Sequence, residues 1–394
     1  KKYNTIYIYY NKSLLDVTIL NTVSKDIFDD YFKLDFSKVE RSLNYINSKI
    51  SEKGFPFSKL SLSNIEIRED TNLSANLVLE PSEQKRTIND IVIKGYDKFP
   101  RSFIKYFLGI KTNTPFDLKA IQAKTETLDQ LGFSKQLRPA EVLFTKDTTS
   151  VYLYLEKNKS NRFEGFLGFG SEETTGDLEL NGYLNLNLVN NLNYGESFIL
   201  NYRSDENDLK TLNTKLTLPY LFRSPIGSEL KLSIFKKDST FTTAEQSANL
   251  YYQLNPRQKL FLGVKTAQSN SLDPVESSTV VDYKTSAYEL RYTYLNRTPK
   301  DLLFPVKSKI EVQLSRARRK TEASQTNQNF YLIKTSHLFK INTSNSLYIN
   351  LNAQGIDSQN YLFNELLRFG GIKTIRGFEE NSINASAFIM VASE

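Results

Sequence analysis

From residue 162 onward the chain alternates apolar and polar residues with a period of two. In "LELNGYLNLNL", Leu178, Leu180, Leu184, Leu186 and Leu188 share one parity, and Glu179, Asn181, Tyr183, Asn185 and Asn187 fill the other. A helix would scatter these leucines around its circumference, whereas a strand sets them on one face. The alternation returns in "LNTKLTL" (212–218), "ELKLSI" (229–234), "KIEVQL" (309–314) and "LYINLNAQ" (347–354). The spacing predicts about a dozen strands, joined by short turns such as "SPIG" and by longer polar loops.

Residues 1–158 follow a different pattern, repeated twice. In "DFSKVERSLNYINSKISEKGFP", Val39, Leu43, Ile46 and Ile50 recur at helical spacing, with Asp35 as N-cap and a stop at Gly54-Phe55. Two strand-like runs follow, "KLSLSNIEIRED" and "NLSANLVLEP". In "DLKAIQAKTETLDQLGF", Leu118, Ile121, Leu128 and Leu131 lie on a helix capped by Asp117 and closed by Gly132-Phe133. Strand-like "AEVLFT" and "SVYLYLEK" come next. A strand precedes each helical part ("NTIYIYYN" and "INDIVIKGY"), and the second copy adds a short helix, "PRSFIKYFLG". Each copy reads strand, helix, helix, strand, strand. Such a unit can bury its helices against one sheet face and leaves a sheet edge free. The expected division is one module over 1–84, a second over 85–158, and the strand series over 162–394, with the break near "EKNKSNR".

Two architectures satisfy the strand series. A soluble sandwich would turn the leucine face to a core; a membrane barrel would turn it to lipid and enclose the other face around water. Strands of about ten residues suit a tilted crossing of a bilayer. A face rich in Asn, Glu and Lys suits a hydrated interior, and tyrosines near strand ends, as in "ELRYTYLN" and "LYYQLN", suit an aromatic girdle. The barrel is the favoured expectation.

Composition narrows the chemistry. The hydrophobic fraction is 39%, and no run of about 18 apolar residues suggests a transmembrane helix. No smooth apolar core follows Lys1-Lys2, so no signal peptide is read there. Tyr and Phe number 23 and 26, and such rings fit an interface. With no Cys, thiolate metal sites, disulfides and cysteine nucleophiles are excluded. The one histidine, His337, sits in a strand pattern and leaves nothing for a histidine-based triad or metal cluster. No G-x-S-x-G, H-E-x-x-H or phosphate loop is present, and "GFLGFG" has no following helix. The Glu172-Glu173 and Glu379-Glu380 pairs read as solvated loop charges. The chain is therefore expected not to be an enzyme and to need no cofactor or metal. The net charge of +7 is dispersed, so no nucleic-acid partner is expected.

One segment near the end carries a sharper signal. "GGIKTIRGFEENS" places Gly370 and Gly371 before Ile375-Arg376-Gly377-Phe378, with "LLRFGG" upstream and "ASAFIMVASE" downstream. Paired modules, a strand series and this arginine-glycine-aromatic signature together resemble the BamA/TamA superfamily of outer-membrane assembly factors, across the whole chain. "PYLF" (219–222) is a weaker echo. The resemblance implies α+β periplasmic POTRA modules followed by an all-β antiparallel transmembrane barrel of about 16 strands, with its last strands beyond Glu394. It places the signature at the tip of a loop folded into the lumen. There, an arginine fork can grip the wall, Gly377 can turn tightly and Phe378 can give an apolar footing.

The resemblance also implies a function: assembly, insertion or translocation of unfolded outer-membrane proteins at the cell outer membrane, in contact with its lipid and with accessory lipoproteins or periplasmic assembly proteins as expected partners. Two devices are expected. A module edge around 88–95 or 139–145 (Ile91, Ile93, Val142 and Phe144) would pair with an extended client. The first barrel strand, "RFEGFLGFGSEE", carries Gly165, Gly168 and Gly170 and would form a weak lateral seam, unless those glycines only make room for the loop. A two-partner secretion pore of the same superfamily and a passive porin-like barrel are the alternatives.

Overall fold

The computed structural model describes the chain apart from residues 1–2, 13–14, 70, 81–84, 172–177, 205–208, 273–279, 299–300, 302 and 373. It divides into two compact units. The first comprises Lys1–Asp97, Ile110–Glu126 and Gln136–Leu155; the second comprises Lys98–Gly109, Thr127–Lys135 and Glu156–Glu394.

The first unit holds two small sheets. One is built from β1 (Thr5–Tyr9), α1 (Val17–Val23), β2 (Tyr31–Asp35), α2 (Val39–Glu52), β3 (Lys59–Arg68) and β4 (Asn72–Glu80). Its strand order is β2-β1-β4-β3, with β1 and β4 parallel. Ile6 and Ile8 of β1, Phe32 and Leu34 of β2, and Ile46 and Ile50 of α2 share one buried core with Leu20 and Leu73. Strand β2 was not legible from spacing: five residues bury only two side chains, too short a period to register. Its presence also corrects the helix start. Asp35 ends the strand and its carboxylate accepts from Ser37 N at 3.0 Å, capping a 3₁₀ turn (Phe36–Lys38) that precedes α2. Gly54, at φ +96°, sits just beyond α2 as expected.

The second sheet comprises β5 (Asp90–Lys94), α3 (Leu118–Thr125), β6 (Ser134–Phe144) and β7 (Thr149–Lys157), in the order β5-β7-β6 with β5 and β7 parallel. Asp117 caps α3 as read from the sequence, accepting from Ala120 N at 3.1 Å. The helical run to Leu131 tightens into a 3₁₀ stretch after Thr125.

The second unit is a long antiparallel sheet. Its strands are β8 (Arg162–Ser171), β9 (Leu178–Val189), β10 (Ser197–Ser204), β11 (Leu209–Leu218), β12 (Ile226–Lys237), β13 (Phe241–Asn255), β14 (Gln258–Ser271), β15 (Tyr283–Arg297), β16 (Val306–Lys320), β17 (Gln325–Lys340) and β18 (Ser346–Ser358). A hairpin, β19 (Leu367–Phe369) and β20 (Ile383–Ala385), then interrupts the series before β21 (Ala387–Ser393) pairs with β18. Neighbours in sequence are neighbours in the sheet. Among the described residues twelve strands make it up, in line with the dozen read from the alternation, and its edge strands β8 and β21 are not joined.

The two faces of this sheet invert the logic of a soluble core. Leu250, Leu262, Leu290, Leu314 and Tyr331 stand opposite one another across β13–β17. All five are between 46% and 66% exposed. The next row on the opposite face, Glu229, Asn249, Glu289 and Ser315, is no more than 7% exposed. Contiguous apolar rows left bare while carboxylates are enclosed make sense only where the outer medium is itself apolar. Among the described residues neither a second sheet nor a helix covers the leucine rows, which counts against the sandwich alternative.

One further contact belongs to this unit. Within Lys98–Gly109 the short expected helix is a π-helical turn, Phe103–Phe107. Phe103 packs edge-on against Tyr220 at 4.8 Å and against Phe133 at 5.4 Å. Tyr106 stacks on Tyr220 and donates its hydroxyl hydrogen to the Arg223 carbonyl. Gly195, at φ +79°, lies so close that a Cβ there would strike the Phe103 ring.

Candidate functional site

Residues 359–386, between β18 and β21, fold back against the polar face. Their root is held by buried side chains. Asn364, 2% exposed, donates through Nδ2 to Ser269 Oγ at 2.8 Å and to the Val281 carbonyl at 3.0 Å. Glu365 pairs with Arg319 of β16 and accepts from Gln328 Nε2 of β17 at 3.0 Å. Its other oxygen, the one facing Arg319, also accepts from Leu362 N at 2.9 Å. Arg319 donates further to Asn360 and, at 3.4 Å, to Thr326 Oγ1. Both side chains of the ion pair are almost completely enclosed. Arg368 places its guanidinium 4.6 Å from the rings of Phe235 and Phe241. A cavity of about 420 Å³ remains between root and wall, bounded by Glu245, Tyr283, Gln313, Phe330, Glu365 and Arg368.

Beyond the root the hairpin turns on glycine. Gly370 (φ +123°), Gly371 (φ +93°) and Gly377 (φ +89°) are all left-handed, which L side chains rarely adopt. A Cβ on Gly371 would strike the Glu380 carboxylate, which pairs with Arg203 of β10 at 3.6 Å. Glu380 is thus a wall contact rather than a solvated charge; Glu172 and Glu173 lie outside the described residues. Touching β10 through Glu380 and β16 through Glu365, the segment is wrapped by a curved sheet.

The signature arginine behaves differently from the expectation. Arg376 is exposed and donates to Glu394 Oε1 at 3.0 Å, at the end of the edge strand β21. Phe378 is 54% exposed and gives no footing on the wall, and Ile375 is only half-buried. Anchorage falls instead to Asn364, Glu365 and Arg368, which spacing did not single out. Arg319 was concealed in "RARRK": Arg316 and Arg318 look identical in sequence but have the opposite parity and point outward, while Arg319 shares the inward parity of Ser315 and Ala317.

The glycines of β8 divide. Gly165 opposes Leu184, and a Cβ there would meet Leu184 Cδ1 and Tyr183 O, each at 2.9 Å. Gly168 has only ordinary contacts with β9 and its own strand, and Gly170 faces open space. Among the described residues, a Cβ on any of the three would meet no hairpin atom among its nearest neighbours within 4 Å. Edge strand β8 leaves Phe163, Phe166 and Phe169 about 70% exposed.

The module edges also divide. Ile91 and Ile93 lie on β5, and Val142 and Phe144 on β6, which are the two outer strands of their sheet. Phe144 is engaged, packing on Phe57 at 4.7 Å and Phe116 at 5.2 Å, and α3 covers part of β6 through Gln122 Nε2 to the Ala140 carbonyl. Strand β5 is the freer edge. A second free edge was missed: β3, with Ile65 and Ile67 about 60% exposed beside a bulge. His337 is an ordinary strand residue, its Nδ1 2.7 Å from Ser308 Oγ.

A curved sheet with its polar face inside and a hairpin tucked against it can be compared directly with solved structures. The fold is that of BamA and CdiB. BamA from Haemophilus ducreyi lacking POTRA domains 1–3 matches with a TM-score of 0.59 at 14% identity, over 97% of this chain and 76% of that one. CdiB from Acinetobacter baumannii matches at 0.53 and 16% identity, over 99% and 76%. CdiB from Escherichia coli matches at 0.51 and 14% identity, over 100% and 75%. No protein-family model and no curated protein sequence matches the chain. Identities this low establish a shared fold with BamA and CdiB and nothing finer.

Proposed function

We propose that this protein is an outer-membrane β-barrel of the BamA/TamA superfamily that assembles, inserts or translocates other polypeptides. The observation that carries the reading is the inverted sheet: bare leucine rows outside, and an enclosed polar wall gripping a re-entrant hairpin inside. A passive pore has no use for the two N-terminal modules, which serve in this reading as periplasmic POTRA modules. Their free strands β5 and β3 offer main-chain donors and acceptors to an extended client, recognition that makes little demand on client sequence. The edge strand β8, with Gly165, Gly168 and Gly170, forms one side of the lateral seam at which a client strand is templated. The clients are unfolded outer-membrane proteins, and accessory lipoproteins or periplasmic assembly proteins are the expected helpers.

A second reading, a two-partner secretion pore, is favoured by one observation: the two CdiB structures match essentially the whole chain. Depletion of the protein, followed by quantitative proteomics of outer-membrane and secreted fractions, separates the two. Loss of many barrel proteins supports the assembly factor; loss of a single exported protein supports the pore. An unchanged proteome in both fractions rejects both.

A further inference from the structure

The polar wall is not electrostatically neutral, and its excess charge is concentrated at one end. Antiparallel alternation puts the turns 190–196, 219–225, 256–257, 298–305 and 341–345 at the end where Arg162 begins β8. The hairpin root lies toward the other end, against Ser269, Arg319 and Gln328. Near the Arg162 end the inward parity carries Arg162, Lys215, Lys231, Lys259, Arg291, Lys309 and Lys334, together with the carboxylates Glu164, Glu229, Glu289 and Glu311. Two of those carboxylates are already shared. Glu229 serves both Lys231, at 3.0 Å, and Arg291. Glu311 serves both Arg291, at 3.5 Å, and Lys309, at 3.9 Å. Glu289, 4% exposed, and Glu164, on the edge strand β8, make no ion pair among the described residues.

Lys215, Lys259 and Lys334 are therefore left over. Among the described residues none has a carboxylate within ion-pair distance. Lys215 stands directly opposite another cation, Lys231. Lys259 is in register with Thr293, Glu311 and Lys334 across β14–β17 and rests over the Tyr251 ring at 4.6 Å. Low-dielectric walls lined by an excess of one sign of charge focus the field of such unpaired charges.

We infer that this end of the lumen binds an acidic, extended polypeptide segment. The inference rests on the reading of the polar face as a lumen wall. Lys259 on β14 and Lys334 on β17 share one register row, three strands or about 14 Å apart along the wall at the usual strand spacing, and Lys215 on β11 lies in the row of Lys265, six residues as well as three strands from Lys259. Carboxylates four residues apart on one side of an extended chain are also separated by about 13–14 Å. The wall thus matches a strung-out row of acids, in a client whose sequence is otherwise unread.

The test is fluorescence anisotropy with the full chain folded in detergent micelles at low salt, its integrity checked by heat-modifiable migration. The probes are labelled decapeptides of alternating Glu-Ser and of alternating Lys-Ser. The Glu-Ser peptide binds, weakens as salt rises, and outcompetes the Lys-Ser peptide. The triple variant Lys215→Gln/Lys259→Gln/Lys334→Gln weakens Glu-Ser binding at least tenfold, and the single variants about threefold each. The outward-facing control Arg316→Gln/Arg318→Gln leaves it unchanged. Equal affinity in the lysine variants, or preference for the Lys-Ser peptide, overturns the inference. Competition by inorganic phosphate well beyond that of chloride at equal ionic strength also overturns it, by revealing a compact anion site. Peptide binding without any assembly defect on depletion would retain the wall and remove the proposed function; an assembly defect without binding would do the reverse.

Discussion

The pairing of Glu365 with Arg319 sets the position of the re-entrant hairpin. Two enclosed charges gain little over an apolar pair, but removing one partner strands the other without water. Arg319→Met should therefore release the 359–386 segment and destabilise the unit by roughly 3–5 kcal/mol. The double variant Arg319→Met/Glu365→Leu should recover much of the loss. Limited proteolysis of the segment in micelles reads the difference; a single variant as resistant as the parent would contradict it. By contrast, Arg376→Ala removes only an exposed ion pair and should change stability by about 1 kcal/mol or less. The residue most visible in the sequence is not the one that anchors the loop. Its signature is legible because glycines around it are forced by positive φ, a local cause that leaves a local trace. The Arg319–Glu365 pair leaves none, since it joins residues far apart in the chain and depends on strand parity.

At the scale of elements, the alternating runs identified the strands reliably because the two faces differ so sharply in chemistry. Caps and stops were legible for the same local reason: Asp117, Gly54 and Gly132 act within one turn of themselves. What escaped were elements defined by tertiary partners. Strand β2 exists because β1 offers it an edge, and the π-helical turn at Phe103 is shaped by Tyr220, Phe133 and the space above Gly195. That last contact can be isolated. Gly195 and Gly132 have nearly the same positive φ, +79° and +77°, but a Cβ at Gly132 meets nothing within 4 Å. Alanine at either should pay the left-handed penalty of about 1–2 kcal/mol. Only Gly195→Ala should additionally displace Phe103, seen as a larger fall in unfolding midpoint; equal falls would mean that the aromatic contact contributes nothing.

The whole molecule follows from which face of the long sheet meets which medium. An arginine introduced on the leucine side should report that medium. Leu262→Arg should cost roughly 2–4 kcal/mol in lipid vesicles if the residue lies near the bilayer midplane, whereas an exposed leucine on a soluble sheet tolerates the change. Reversible denaturation in vesicles measures it, and a cost near zero would remove the barrel reading altogether. The sequence carried this architecture through periodicity alone. It could not carry the lopsided charge of the inner wall, because that depends on register between distant residues.

The β8 margin of the sheet has a consequence of its own. Hydrocarbon offers no hydrogen bonds, so in the proposed barrel the free main-chain groups of β8 are satisfied at membrane depth only by another stretch of backbone. Any chain able to lie flat and extended qualifies, whatever its side chains. Choice among such chains must then be made elsewhere in the molecule, before the backbone arrives.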